Sequence, residues 1–198
     1  MLNNVDICSK CLLSLKPIFK TFKIDEYKAL SLYHYDESTK SKIFQLKGCG
    51  DIELAQIFVK PYGLELNARF HDYTLVCLPS FEGDNQKRGF NHVEEMFNCL
   101  KLKKCDCLRK TEHYKQSDQS YKKRHEVSKY IALKENIDLA NKKILLVDDI
   151  CTTGSSLRAA LNLIEKCHPK MINILVVSKR DFSKEEAKEM SNYIDVLN

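Results

Sequence analysis

No apolar run in this chain approaches the roughly 20 residues that a membrane-spanning helix needs. The opening Met1-Leu2-Asn3-Asn4-Val5-Asp6 lacks a basic region followed by an apolar stretch, so it does not read as a secretion signal, and the cytoplasm is the expected compartment. Internal repeats and long Gly, Ser or Pro linkers are also missing, so one main domain with a sizeable core is expected. A strong excess of one charge is absent as well: 32 basic against 27 acidic residues leave +5. That is less than the concentrated basic face of a dedicated nucleic-acid binder, and an anionic small molecule accounts for it equally well. Cysteine, by contrast, is plentiful, with nine in the chain. With a core available and no export signal, they do not read as a disulfide framework. Cys77, Cys99, Cys151 and Cys167 sit in apolar patterns as small buried hydrophobes. Cys8-Ser9-Lys10-Cys11 and Cys105-Asp106-Cys107 remain as the spacings with chemical interest.

The stretch to about Ala68 is mixed, and Leu30–Tyr35 reads as a short strand. Ile43, Leu46, Leu54, Ile57 and Phe58 fit a helix broken at Gly48-Cys49-Gly50. From Tyr73 the pattern changes. Tyr73–Pro79, Lys143–Asp148 and Met171–Val177 are nearly unbroken apolar runs, as expected of strands buried on both faces of a parallel sheet. Helical stripes lie between them, at Val93, Met96, Phe97 and Leu100 and at Leu157, Ala160, Leu161 and Ile164. Alternating strands and helices predict an α/β doubly wound fold, whose ligands bind beyond the carboxyl ends of the strands. Leu108–Lys123 is polar and basic, and reads as a mobile loop, or a solvated connection, leading into a helix over Arg124–Leu133.

The strongest feature is the strand Lys143–Val147 running into Asp148-Asp149-Ile150-Cys151-Thr152-Thr153-Gly154-Ser155-Ser156. A helix opening there offers unpartnered N–H groups and a positive dipole to a phosphate. Gly154 allows close backbone approach, and Thr152, Thr153, Ser155 and Ser156 add hydroxyl donors. Asp148 and Asp149 would repel a phosphate but suit a vicinal diol or a developing positive charge. Together they describe a sugar phosphate. A plain N-capped helix, with Ser155 or Ser156 as its cap, explains the hydroxyls but leaves two adjacent carboxylates unexplained.

The run Ile144–Leu157 resembles the motif of type I phosphoribosyltransferases that binds 5-phosphoribosyl-1-pyrophosphate (PRPP). Three further stretches resemble the ComF (competence protein F) branch: Tyr33–Asp51 with Gln45-Leu46-Lys47, then Arg88-Gly89-Phe90-Asn91, and Leu108–Arg124 with Gln116-Ser117. The resemblance implies an N-terminal appendage over 1–68 and a PRPP-binding core over 69–198. It implies that Asp148 and Asp149 hold the ribose hydroxyls and that Thr152–Ser156 form the 5-phosphate loop. The segment around Pro79 and Ser80 would contact pyrophosphate, Arg88 and Arg124 would clamp it, and the basic stretch would close over the site. Magnesium is expected with PRPP. In some purine-using relatives an aspartate general base stands at the position of Thr152, and threonine cannot do that job, so the acceptor is not readable. Relatives also begin with two Cys-x-x-Cys pairs that bind zinc. Cys8 and Cys11 resemble the second pair, with Cys105 and Cys107, a second chain, or no zinc at all as the alternatives for the missing ligands. The implied roles are phosphoribosyl transfer or, without catalysis, the handling of single-stranded DNA alongside competence machinery. A homodimer is left open. For the DNA role, Lys20, Phe22, Lys23, Tyr114, Lys115, Tyr121 and Lys122 are the candidate contacts, against an ordinary solvated surface.

Overall fold

The computed structural model describes residues 9–110 and 130–181, with the backbone alone for Lys10 and Cys11. A short helix α1 (Ser9–Leu13) precedes two antiparallel strands, β1 (Pro17–Ile24) and β2 (Tyr27–His34). Helix α2 (Glu37–Gly48) starts where the Asp36 carboxylate accepts the Thr39 N–H at 2.8 Å, and it buries Thr39, Ile43 and Leu46 along one face. Beyond the glycine break the chain continues in tight turns and two short helices, α3 (Gln56–Val59) and α4 (Gly63–Arg69). Strand β3 (Tyr73–Cys77) follows, then α5 (Glu82–Arg88) and α6 (His92–Phe97). Three very short strands come next, β4 (Lys103–Lys104), β5 (Leu108–Lys110) and β6 (Ile131–Leu133). The described chain ends with β7 (Lys143–Cys151), α7 (Ser155–Glu165) and β8 (Met171–Lys179).

Six strands form one sheet in the order β1-β2-β8-β7-β3-β4, parallel throughout except for the β1–β2 edge. The apolar runs alternate between two cores. Leu145, Val147, Leu175 and Val177 pack with Ile43, Leu46, Phe58 and Phe97, whereas Ile144, Leu146, Ile174 and Val176 pack with Leu157, Ala160, Leu161 and Ile164. Helices therefore cover both faces, which is why these strands carry apolar residues at successive positions. Residues 17–34 of the expected N-terminal appendage supply β1 and β2 of this same sheet, while 37–69 form a helical cap beside it.

Two expectations are corrected. Ile131–Leu133 is not the end of a helix but strand β6, and Leu108–Lys110 is not loop but its antiparallel partner β5. Leu108 and Ile131 are buried against Cys107 and Leu139, so burial of two side chains decides a pairing three residues long. The stretch 111–129, with Arg124, lies outside the described residues. Among the described residues no helix is long and apolar enough to cross a membrane.

Candidate ligand-binding site

Strand β7 does not stop before the acidic pair but continues through it. Asp148 and Ile150 pair with Val176 and Ser178 of β8. Alternation along the strand then sends the two carboxylates apart. Asp148 is half-buried and lines a small pocket with residues 150–157, whereas Asp149 is 5% exposed.

The turn that follows opens a helix whose first N–H groups have no side-chain cap. Gly154 is the N-cap of α7 with φ +76°, a left-handed conformation that side-chain-bearing residues disfavour. No side chain caps the helix, so neither Ser155 nor Ser156 is spent in the way a plain N-cap requires. Thr153 Oγ1 lies 2.8 Å from Ser155 Oγ, drawing two hydroxyls together over the turn. Arg158 fastens it from behind: Nη1 donates to the Thr153 carbonyl at 2.8 Å, and Nε to Asp25 Oδ1 at 3.1 Å. Asp148 and Thr152–Ser156 thus line one pocket of about 110 Å³.

Asp149 is held from three elements. Its Oδ1 accepts the Ile150 N–H at 2.7 Å, and its Oδ2 accepts from Lys47 Nζ of α2 at 2.7 Å and from His92 Nε2 of α6 at 3.1 Å. On the other edge of the imidazole, Arg88 Nη1 lies 2.9 Å from Nδ1, and Ser80 Oγ lies 3.3 Å from the same atom. Arg88 Nε donates to the Lys47 carbonyl at 3.0 Å, which closes the ring of bonds. A guanidinium only donates, so His92 Nδ1 carries the lone pair and the imidazole proton sits on Nε2, facing Asp149.

The electrostatics agree with that assignment. Burial alone would raise the Asp149 carboxyl, but the Lys47 ammonium and the His92 hydrogen bond outweigh it and hold the group far below the usual carboxylate range. Burial, aided by the neighbouring Asp149 charge, pushes Asp148 well above that range. Burial also lowers His92, against the pull of Asp149, and keeps the ring neutral. Lys47 loses solvation yet is raised on balance by Asp149. Two adjacent carboxyl groups therefore differ: Asp149 is lowered and locked into the protein by Lys47 and His92, whereas Asp148 is raised at the pocket wall.

Beside this network lies a groove of about 1040 Å³ between α2 and α5, lined by Lys40, Lys47, Lys87, Arg88, Phe44 and Ile150 among others. On the other side of Arg88, Pro79 and Ser80 line a pocket of about 520 Å³ with Arg109 and Lys110 of β5. The structure thus joins Asp149, Ser80 and Arg88 through His92, and places Asp148 with residues 152–156. Arg124 and Cys8 lie outside the described residues, as does the Cys11 side chain. Cys107 is buried, and burial with the adjacent Cys105 pushes its thiol up to about 12. Among the described residues no three His, Cys, Asp or Glu side chains assemble to hold a metal.

The family model for the phosphoribosyl transferase domain matches residues 86–196, more than half of the chain. This chain belongs to the phosphoribosyl transferase domain family. Its α/β fold is of the type I phosphoribosyltransferase kind, a mostly parallel sheet flanked by helices. The chain is 28% identical over 140 residues to competence protein ComFC of Streptococcus pneumoniae, covering 71% of this chain and 63% of that protein. Over 63 residues it is 36% identical to a hypoxanthine/guanine phosphoribosyltransferase of Methanothermococcus okinawensis, covering 28% of this chain and 34% of the relative. It spans less than two thirds of the length of these curated relatives. Among solved structures, adenine phosphoribosyltransferase from Saccharomyces cerevisiae aligns over 68% of this chain and 73% of its own at 21% identity, with a TM-score of 0.43. In this phosphoribosyl transferase domain, His92 and Lys47 are the site residues that sequence reasoning gave no role. The quoted segments Arg88–Asn91 and Gln45–Lys47 end beside or on them, but nothing in a linear pattern signals that residues 57 and 102 positions from Asp149 meet it.

Proposed function

We propose that this protein binds PRPP together with Mg2+ and transfers its 5-phosphoribosyl group to an acceptor seated in the groove between α2 and α5. One observation carries this reading: a buried strand delivers Asp148 to the same pocket wall as an uncapped helix entrance with four hydroxyl residues around Gly154. The 5-phosphate would take the N–H groups and hydroxyls of residues 152–156. The ribose hydroxyls would meet Asp148, with Asp149 fixing the cations behind it. The pyrophosphate would lie toward Ser80 and Arg88.

Cleavage of the C1–O bond builds positive charge on the ribose ring and negative charge on departing pyrophosphate. Preorganised cations beside the leaving group and a carboxylate beside the ring lower that barrier. Lys47, paired with Asp149, and Arg88, bonded to His92 and to the Lys47 carbonyl, are cations of this network. Mg2+ uses one or two carboxylates with substrate phosphates and retained waters, and when bound it would neutralise the leaving group, with Asp148 the carboxylate placed to hold it. The similarity to ComFC supports a role in the competence or DNA-uptake setting.

The test is pyrophosphate release from PRPP and Mg2+ across a panel of free bases and ring acceptors. Release with at least one acceptor, lost in Asp148→Asn, is the expected result. Silence across the panel by a protein that still binds PRPP would overturn the transferase reading and leave a PRPP-binding accessory.

A further inference from the structure

His92 is 4% exposed, lines none of the pockets described, and nevertheless connects Asp149 of β7 to Arg88 of α5. The groups that face it are Asp149 from β7, Arg88 from α5, Lys47 from α2 through Asp149, and Ser80 from the loop after β3. Its ring presents one donor and one acceptor on opposite edges, and both are used: Nε2–H to Asp149 at 3.1 Å, and Nδ1 from Arg88 at 2.9 Å.

We propose that His92 is a positioning residue that couples the pyrophosphate side of the site, Ser80 and Arg88, to the acidic pair on β7. This inference rests on the PRPP reading above. Without the ring, Arg88 keeps its bond to the Lys47 carbonyl and its place over the Phe90 ring but loses its tie to β7, and Ser80 loses its contact with Nδ1. Asp149 would keep Lys47, while the loop and the guanidinium would lose their fixed distance from β7. The phosphate turn at 152–156 has its own fastening through Arg158 and Asp25, so it should not feel the change. The coupling is therefore directional: the pyrophosphate end of the ligand depends on His92, and the 5-phosphate end does not.

A carboxamide also pairs a donor NH2 group with an oxygen acceptor, so glutamine can replace the neutral imidazole, whereas leucine fills space and bonds to nothing. The experiment titrates the full chain and its His92→Gln and His92→Leu variants with PRPP, inorganic pyrophosphate and ribose 5-phosphate in the presence of MgCl2, alongside melting temperatures. His92→Gln should bind all three close to the parent. His92→Leu should lose about tenfold to a hundredfold on PRPP and pyrophosphate, the scale of a lost charge-assisted hydrogen bond, with ribose 5-phosphate unchanged. Should His92→Leu not fold, His92→Phe gives the same readout, since it fills the ring's space and offers neither donor nor acceptor to Asp149 and Arg88. Equal loss on all three ligands, or none on pyrophosphate, overturns the coupling while PRPP binding by the parent stands. A parent that binds no PRPP overturns the underlying reading instead.

Discussion

At the scale of single residues the site turns on the difference between two neighbouring aspartates. Asp149 is buried with its charge compensated, and its carboxyl is held below the ordinary value near about 3.9. A group depressed in the folded state adds stability at neutral pH and loses it as pH falls through its folded pKa. Asp148 has the opposite sign. Its carboxyl is raised in the folded state, so ionising it at neutral pH costs stability, which returns as acid is added down toward the ordinary carboxylate range. The unliganded protein, without added Mg2+, should therefore melt highest at mildly acidic pH and fall off on both sides. Asp148→Asn should raise the melting temperature at pH 7 and flatten the neutral limb of that profile, even as it removes ligand binding. Asp149→Asn should cost about 2 kcal/mol of stability and so lower the melting temperature, because Lys47 is left facing an amide; the loss is moderated by the 38% exposure of the Lys47 side chain. Melting curves of the three proteins from pH 4 to pH 8 check the signs. A parent and an Asp148→Asn protein with the same neutral limb would contradict the account.

At the scale of elements, the join of β7 to α7 was the most legible part of the molecule. Its strand, acidic pair, turn and helix stripe are contiguous, so local chemistry and periodicity report them without knowledge of the tertiary fold. The small strands were not legible. β5 and β6 are three residues each, too short for a period to register, and their pairing bridges the segment 111–129. β1 escaped because its register breaks between Pro17 and Lys20, where Phe19 has φ +46°, and the inward alternation of the strand breaks with it. The turn into α7 supplies a prediction of its own. A Cβ at position 154 would stand 3.4 Å from Arg158 Nη1 and 3.5 Å from Ile24 Cδ1, so the space is tight but open, while the backbone is left-handed. Gly154→Ala should therefore cost about 1–2 kcal/mol from φ alone. It should also weaken ribose 5-phosphate binding by crowding the anion. Denaturant unfolding and a ribose 5-phosphate titration read the two effects separately, and an unchanged midpoint would argue against the strained turn.

At the scale of the whole molecule, the sheet brings distant segments together at one rim. Lys47 comes from the helical cap, Ser80 and Arg88 from the segment after β3, and the acidic pair from β7. A sequence states each piece but not their meeting. The doubly wound class and the strand–turn–helix join at 148–156 could be read from residue order, whereas the closed ring through His92 exists only once β2, β7 and β8 are parallel neighbours and α2 lies beside α5. The central claim is that this rim binds PRPP with Asp148 on the ribose and residues 152–156 on the 5-phosphate. Titration calorimetry of the full chain with PRPP and MgCl2, against Asp148→Asn and Gly154→Ala, tests it most directly. The account predicts saturable one-to-one binding by the parent, sharply weakened in both variants. Heat that is absent from the parent, or identical in all three proteins, would contradict it.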